Sequence, residues 1–261
     1  MGAKHLISEH WSKAEKLLKH PLYKRIVFNA YHNSYAVICV SEFLLKRISR
    51  ATGLTNLITI PNIIDTEIFT YLSKPPVEDG SLIMLCVASW QLPKRLDLIF
   101  DALCAYASET SRKIELTVVG KGTRVVMLKN RKTPYNLHVG WAGYLDRTAI
   151  ARLLQKTHVF LHASNIETFS IVTAEALSTG TPVLASNTGA LPELINDENG
   201  LLVENTPDGW LNGIRKIVTK QFDCQVIAFQ NQNKYSPTQI GNSIISLYNK
   251  INTGLSLSDE N

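Results

Sequence analysis

The sequence predicts an α/β protein with one complete doubly wound parallel sheet in its C-terminal part and a partial sheet of similar type before it. Three observations lead there. From residue 83 onward, short apolar runs at 83–88, 115–119, 137–139, 159–162, 182–185 and 201–203 alternate with amphipathic stretches such as 95–107 and 148–155. The stretches repeat at helical spacing and the runs are strand-length, and strands separated by helices require crossover connections and hence parallel pairing. Punctuation agrees with this pattern, because Gly180 stands where a helix must stop ahead of the strand that Thr181-Pro182 opens. Before residue 83 the same alternation is thinner.

Taken in order, the first stretch is His5 to Trp11, which contains His10. Lys13, Lys16, Lys19, His20, Lys24 and Arg25 then fall in one helical stretch. Its basic face is read as solvated, with a landing patch for anionic lipid or a diphosphate-linked acceptor as the sharper alternative. Residues 36–40 read as a buried strand, Ser41 as the cap of a helix over 42–51, and 57–60 as a run leading into Pro61-Asn62. The segment 70–81, with Pro75-Pro76 and Asp79-Gly80, has linker composition. The expected organisation is therefore an N-terminal remnant at 1–72, a linker at 73–81, a main domain at 82–236, and a C-terminal helix and tail at 237–261. Within the last part the helix spans 238–252 and the polar tail 253–261 is frayed. With two clear strands the N-terminal part cannot complete a nucleotide-binding sheet. Apolar surface at 26–30 and 36–40 is expected to stay poorly covered, favouring self-association or a partner chain.

Composition excludes several classes. The chain has 261 residues, 45% apolar and 19% charged, with a net charge of +5. No apolar run approaches the ~20 residues of a membrane span, and no signal-like segment precedes His10, so the cytoplasm is the expected compartment, with peripheral contact at the inner membrane surface as an extension. Cys39, Cys86, Cys104 and Cys224 show no metal-ligand spacing, and the first two sit in apolar runs, which points to free thiols. Basic and aromatic residues do not interleave, so nucleic acid is not an expected partner. No D-x-D pair, nucleophile triad or glycosidase carboxylate pair can be assigned.

The chemistry concentrates in Glu167-Thr-Phe-Ser-Ile-Val-Thr-Ala-Glu175, which follows a strand and opens a helix near Ser170. A loop entering a helix at the carboxyl edge of a parallel sheet is where α/β domains bind ligands, and the first helical turn offers unpaired N–H groups and a positive dipole end to a phosphate. Glu175 lies ~7.5 Å further along at ~1.5 Å per residue. Two carboxylates flanking a phosphate site suit a donor that has hydroxyl-rich rings on both sides of a diphosphate. Glu175, among Val172, Thr173, Ala176 and Leu177, is expected to be partly buried, where an unpaired carboxylate is costly. As an isolated residue it would read as a first-turn glutamate stabilised by the helix dipole. Gly120-Lys121-Gly122 lacks the third glycine and the acidic residue of a dinucleotide fingerprint, so a tight strand-to-helix turn is preferred. His162 is close enough to Glu167 to line the same site.

Glu167 and Glu175 with seven residues between them, followed by Gly180, Pro182-Val183, Gly189, Pro192-Glu193 and Asn199-Gly200-Leu201, resemble the retaining GT-B glycosyltransferases of family 4, the glycosyl transferases group 1. Val40-Ser41-Glu42, Ile60-Pro61-Asn62-Ile63-Ile64-Asp65, Val118-Val119-Gly120-Lys121-Gly122 and Gly140-Trp141-Ala142-Gly143 extend the likeness over nearly the whole chain. The resemblance implies two Rossmann-like domains, the first truncated, and transfer of a hexose from a nucleotide diphosphate sugar to a glycan or lipid-linked acceptor with retention. It implies no metal and no cofactor, and a setting in polysaccharide or lipopolysaccharide assembly. By it, Glu167 holds the donor hexose, Glu175 the ribose hydroxyls, and the backbone at Phe169, Ser170 and Ile171 the sugar and diphosphate. Gly120 and Gly122 turn beside the donor, and Lys94 faces the leaving diphosphate. The resemblance also implies that the stretch His5 to Trp11 is the end of a strand, with His10 its final histidine and the candidate catalytic one. Trp141 and Tyr144 flank the nucleobase loop, with a core or rim position equally open for either. The sequence departs from the family near Ser89, where an arginine is usual, and Arg95 is the candidate to supply that charge. The competing reading is a non-catalytic nucleotide-sugar-binding fragment that needs a partner chain. A GT-B epimerase fits the motif order less well.

Overall fold

The computed structural model describes residues 4–11, 20–73 and 80–253. Two all-parallel sheets organise them. The first has the order β1-β2-β3, from Leu6–Glu9 (β1), Ala36–Cys39 (β2) and Leu57–Thr59 (β3). The second has the order β6-β5-β4-β7-β8-β9, from Leu82–Val87 (β4), Ile114–Val119 (β5), Leu137–Gly143 (β6), Val159–His162 (β7), Val183–Ser186 (β8) and Gly200–Val203 (β9). Each expected strand of the main domain is present within a few residues. The largest extension is β6, which continues through Gly143 with a register shift opposite Val118/Val119.

Strand alternation explains the layering. In β4, Met84 and Cys86 enter one core with helices Leu96–Ser108 (α3) and Pro207–Ile217 (α8). Leu85 and Val87 enter the opposite one with Arg147–Leu154 (α5) and Ile171–Ser178 (α6). A sheet covered on both faces needs apolar residues at every strand position, which is why the sequence shows continuous runs. Gly180 ends α6 as expected, with φ +71° and its N–H on the Leu177 carbonyl at 2.9 Å.

The N-terminal part departs from expectation in two ways. It contains three described strands where two were expected, because Leu6–Glu9 within the His5–Trp11 stretch pairs with β2. Residues 36–40 are also covered. Val37 and Cys39 point into the core shared with helix Glu42–Thr52 (α2) and the second sheet. Ala36 and Ile38 point the other way, against Ile240, Ile244 and Leu247 of the last helix, Pro237–Thr253 (α10). The chain thus returns from the second sheet to roof the first, which local sequence could not show. Only part of 26–30 stays open: Ile26 is 65% exposed, while Val27 and Phe28 pack on the core. The basic stretch is helical over Pro21–His32 (α1). Its earlier lysines, the centre of the linker at 74–79, and the tail beyond 253 lie outside the described residues.

Candidate active site

The chain runs outward from β4 to β5 and β6, then crosses back to β7, β8 and β9, so the order reverses between β4 and β7. The loops leaving neighbouring strands at such a point diverge to opposite faces and leave a crevice at their carboxyl ends. Lys94 lies on the loop after β4 and Glu167 on the loop after β7. The two loops are stitched by backbone bonds, Arg95 N–H to the Ala163 carbonyl at 3.0 Å and Asn165 N–H to the Pro93 carbonyl at 3.0 Å.

Across this crevice the Lys94 ammonium donates to Glu167 Oε1, and His162 Nε2 lies 2.7 Å from the same oxygen. Glu167 is 9% exposed and His162 fully buried. Burial alone would raise the Glu167 carboxyl, but His162 and Lys94 outweigh it and hold the group down at about 2. Burial, with Lys94 adding to it, pushes His162 below its usual range, so the imidazole stays neutral. A neutral ring bonded to a carboxylate through Nε2 carries its proton there.

Glu167 is fixed from behind by Gly189, whose φ is +59°. A Cβ at that position would stand 2.1 Å from the Glu167 carbonyl oxygen, to which Ala190 N–H donates at 3.0 Å. The β7 loop is further held by Ser186 Oγ, which accepts from Ser164 N–H at 2.9 Å and donates to Asn205 Oδ1 at 2.6 Å. Asn205 Nδ2 returns to the Ser164 carbonyl at 2.7 Å. Gly120 and Gly122 bring the β5 loop against the β4 loop, where added Cβ atoms would meet the Ala88 and Trp90 carbonyl oxygens at 1.8 and 2.2 Å. Trp90, fully buried, donates its indole N–H to the Val119 carbonyl at 2.8 Å and locks this contact.

Helix α6 starts at the site with no side-chain cap. Its first turn therefore retains the unpaired donors and positive end that suit an anion. Phe169 is buried edge-on against Tyr235, and Ile171 is 46% exposed. Glu175, one turn in, is 5% exposed, and burial raises its carboxyl to about 7 against the opposing pull of Arg147. Arg147 lies 3.6 Å from Glu175, 3.7 Å from Asp65 of the N-terminal part, and over the Phe69 ring.

The remaining sequence-predicted residues fall as follows. Arg95 is turned onto Asp97, which also holds Arg124 at 3.0 Å, so two guanidiniums share one carboxylate beside the β4 loop. The His10 carbonyl accepts from Thr168 Oγ1 at 3.1 Å, which brings the end of β1 to the residue after Glu167. The His10 ring bonds Ser8 Oγ at 2.9 Å and lines a cavity of about 530 Å³ with Asn62 and Ile63. Trp141 packs on Phe100, whereas Tyr144 is exposed at the rim. Sequence reasoning missed Arg147, Trp90 and Asn205. Each acts through a partner distant in sequence, and none belongs to a recognisable motif.

The architecture of two parallel α/β sheets matches that of GT-B glycosyltransferases. The Anabaena protein HepE, solved in complex with UDP and glucose, superposes with a TM-score of 0.75 over 94% of this chain and 71% of its own, at 16% identity. Residues 68–235 match the model of the glycosyl transferases group 1, and the chain belongs to that family. Among curated relatives, it is 27% identical over 195 residues to a GDP-mannose-dependent alpha-(1-6)-phosphatidylinositol dimannoside mannosyltransferase of Mycobacterium tuberculosis, covering 72% of this chain and 50% of the relative. It is also 27% identical over 189 residues to one component of the phosphatidylinositol N-acetylglucosaminyltransferase of Arabidopsis thaliana, covering 70% and 41%. The chain thus spans about half the length of the curated relatives it matches.

Proposed function

We propose that this chain binds a nucleotide diphosphate sugar at the β4/β7 switch point and moves its hexose to a lipid-linked or glycan acceptor with retention. The observation that carries the reading is the convergence of Lys94, Glu167 and the uncapped start of α6 in one crevice. A diphosphate leaving group gains charge as its bond to the sugar breaks. A preset ammonium and a helix N-terminus stabilise that charge without reorganisation. Arg95 and Arg124 around Asp97 leave one net positive charge nearby. These groups perform the role a divalent ion would fill, so donor binding is metal-independent in this reading.

Glu167, ionised, accepts hydrogen bonds from the hexose hydroxyls. Glu175, on helix α6 beyond the Glu167 loop, meets the ribose hydroxyls beside Arg147. Family membership supports the sugar-nucleotide donor, and both curated relatives name a phosphatidylinositol-type acceptor, which favours a lipid-linked one at a membrane face. No helix among the described residues is long and apolar enough to cross a membrane, so the contact envisaged is peripheral, on the cytoplasmic side. In this reading His10, whose carbonyl accepts from Thr168 Oγ1, turns its ring from Ser8 toward the crevice to meet the transferred sugar.

Calorimetric titration with UDP-, GDP- and ADP-sugars in EDTA tests the reading. One of them should bind, and at pH 8, above the Glu175 carboxyl's value of about 7, Glu175→Ala should weaken the nucleoside diphosphate itself by ~1.5–3 kcal/mol, the worth of a charged hydrogen bond. Binding that vanishes in EDTA would overturn metal independence, and no binding to any donor would overturn the site.

A further inference from the structure

Ser170 is the one non-glycine residue with positive φ among the described residues, at φ +77° and ψ +77°. An L side chain crowds its own backbone there, so glycine is the easy choice and a serine is strained. Such outliers persist where the surroundings hold them, and point to a role. The Ser170 side chain is 8% exposed, and its Oγ stands 2.8 Å from Thr173 Oγ1 and 3.3 Å from His162 Nε2. His162 is unusual in its own way. It is fully buried, and its Nδ1 has no hydrogen-bond partner among the described residues. Burying a ring half-satisfied is unfavourable. The compensation lies at the other nitrogen, 2.7 Å from Glu167 Oε1.

Among the described residues Glu167 has two side-chain partners, Lys94 and His162, both on Oε1. Under the function proposed above, Lys94 must turn to the donor diphosphate. Once it does, His162 is the remaining group that holds Oε1 and keeps Oε2 for the sugar. We infer that His162 and Ser170 form a buried positioning pair for Glu167. The neutral ring donates Nε2–H to the carboxylate, and the strained serine, anchored on Thr173, sets its hydroxyl against the same nitrogen and fixes the ring. Neither touches the donor through its side chain. Their effect is confined to the sugar end of the site, since Glu175 and its Arg147 partner lie beyond their reach in the hydrogen-bond network.

The test rests on the reading of Glu167 as the sugar-binding carboxylate, so one arm needs no ligand. Nitrogen-resolved NMR of the histidine rings in the empty protein should show His162 as the neutral Nε2–H tautomer, with its resonance displaced in Ser170→Gly. An Nδ1–H tautomer, an imidazolium, or an unmoved resonance would overturn the pair. The second arm compares titration of the free nucleoside diphosphate with that of the matching nucleotide sugar. Ser170→Gly should melt at or above the wild-type temperature, since the strain is gone, yet lose at least about tenfold of the extra affinity that the sugar confers. His162→Leu should lose as much and His162→Gln, which retains an N–H donor, should recover part of it, with the loss for the nucleotide sugar exceeding that for the free nucleoside diphosphate in each variant. Equal sugar increments in wild type and Ser170→Gly would overturn the positioning role. Wild-type protein that binds neither ligand would instead overturn the functional reading, and the NMR arm would still decide the geometry.

Discussion

Glu167 and Glu175 sit on one short loop-and-helix segment, yet their surroundings drive them to opposite charge states. Glu167 has a cation and an imidazole N–H on one oxygen and is held at about 2, whereas Glu175 has one arginine at 3.6 Å and rises to about 7. Their contributions to stability therefore have opposite signs. A carboxyl lowered by folding stabilises above its unfolded value, so the Glu167 contribution is lost as pH falls from 4.5 to about 2. A carboxyl raised by folding does the reverse. As pH climbs from 4.5 to about 7 the unfolded chain releases the Glu175 proton and the folded chain keeps it, so stability falls by about 3 kcal/mol. Glu175→Gln should remove this decline, and urea midpoints between pH 5 and 7 will show it as a flatter profile than wild type. A parallel decline in both proteins would assign the effect elsewhere. At this scale Glu167, Glu175 and Lys94 were legible, because their spacing and loop context are local. Arg147 was not, because only the fold turns a helix-start residue toward α6.

The start of α2 shows how an element can be half written in its own sequence. Ser41 Oγ accepts from Leu44 N–H at 3.1 Å, as its position before Glu42 predicted. The donors of Glu42 and Phe43 are taken instead by Glu193, at 2.9 and 2.6 Å, from the short helix Leu191–Leu194 (α7) of the second sheet's domain. The carboxylate also faces the positive end of α2, so it ties the N-terminal part to the main domain by charge and hydrogen bonding together. Nothing near Glu193 announces this, since its partners are about 150 residues away. Glu193→Ala should lower stability by about 1–3 kcal/mol and speed hydrogen exchange at Glu42 and Phe43 while the α6 amides keep their protection. Equal protection at α2 would show that the bridge contributes nothing. In the same loop, Gly189→Ala should disturb Glu167 directly, because the new Cβ would meet its carbonyl oxygen at 2.1 Å. Nucleotide-sugar affinity should drop more than nucleoside diphosphate affinity, and titration of the two ligands separates these effects.

At the scale of the molecule, the second sheet was legible nearly strand for strand because its inner strands are buried on both faces and stand out as apolar runs, while edge strand β6, which alternates with exposed residues, was read short. Strands of the first sheet were legible too, at 36–40 and 57–60, but what covers them was not, because the covering helix comes from the far end of the chain. Helix α10 lays Ile240 and Leu247, 3% and 4% exposed, against Ala36 and Ile60, with Leu6, Ile38, Ile58, Ile244 and Ile251 partly buried around them. Each fully buried aliphatic side chain stabilises by roughly 1.5–3 kcal/mol, so packing of this helix on one face contributes materially to the three-stranded sheet. The opposite face is secured by the core shared with the second sheet. Removing α10 should therefore loosen β1–β3 and spare β4–β9 with its donor site. A chain ending at Ser236, and the gentler pair Ile240→Ala with Leu247→Ala, should show faster amide exchange through 36–39 and 57–59. Their calorimetric scans should divide into two transitions where the full chain gives one, with donor affinity retained in both. Unaltered exchange at β2 in the double variant would mean that the roof is ornamental to the first sheet. Lost donor affinity in the double variant would mean that the two sheets do not respond separately and that the donor site depends on α10.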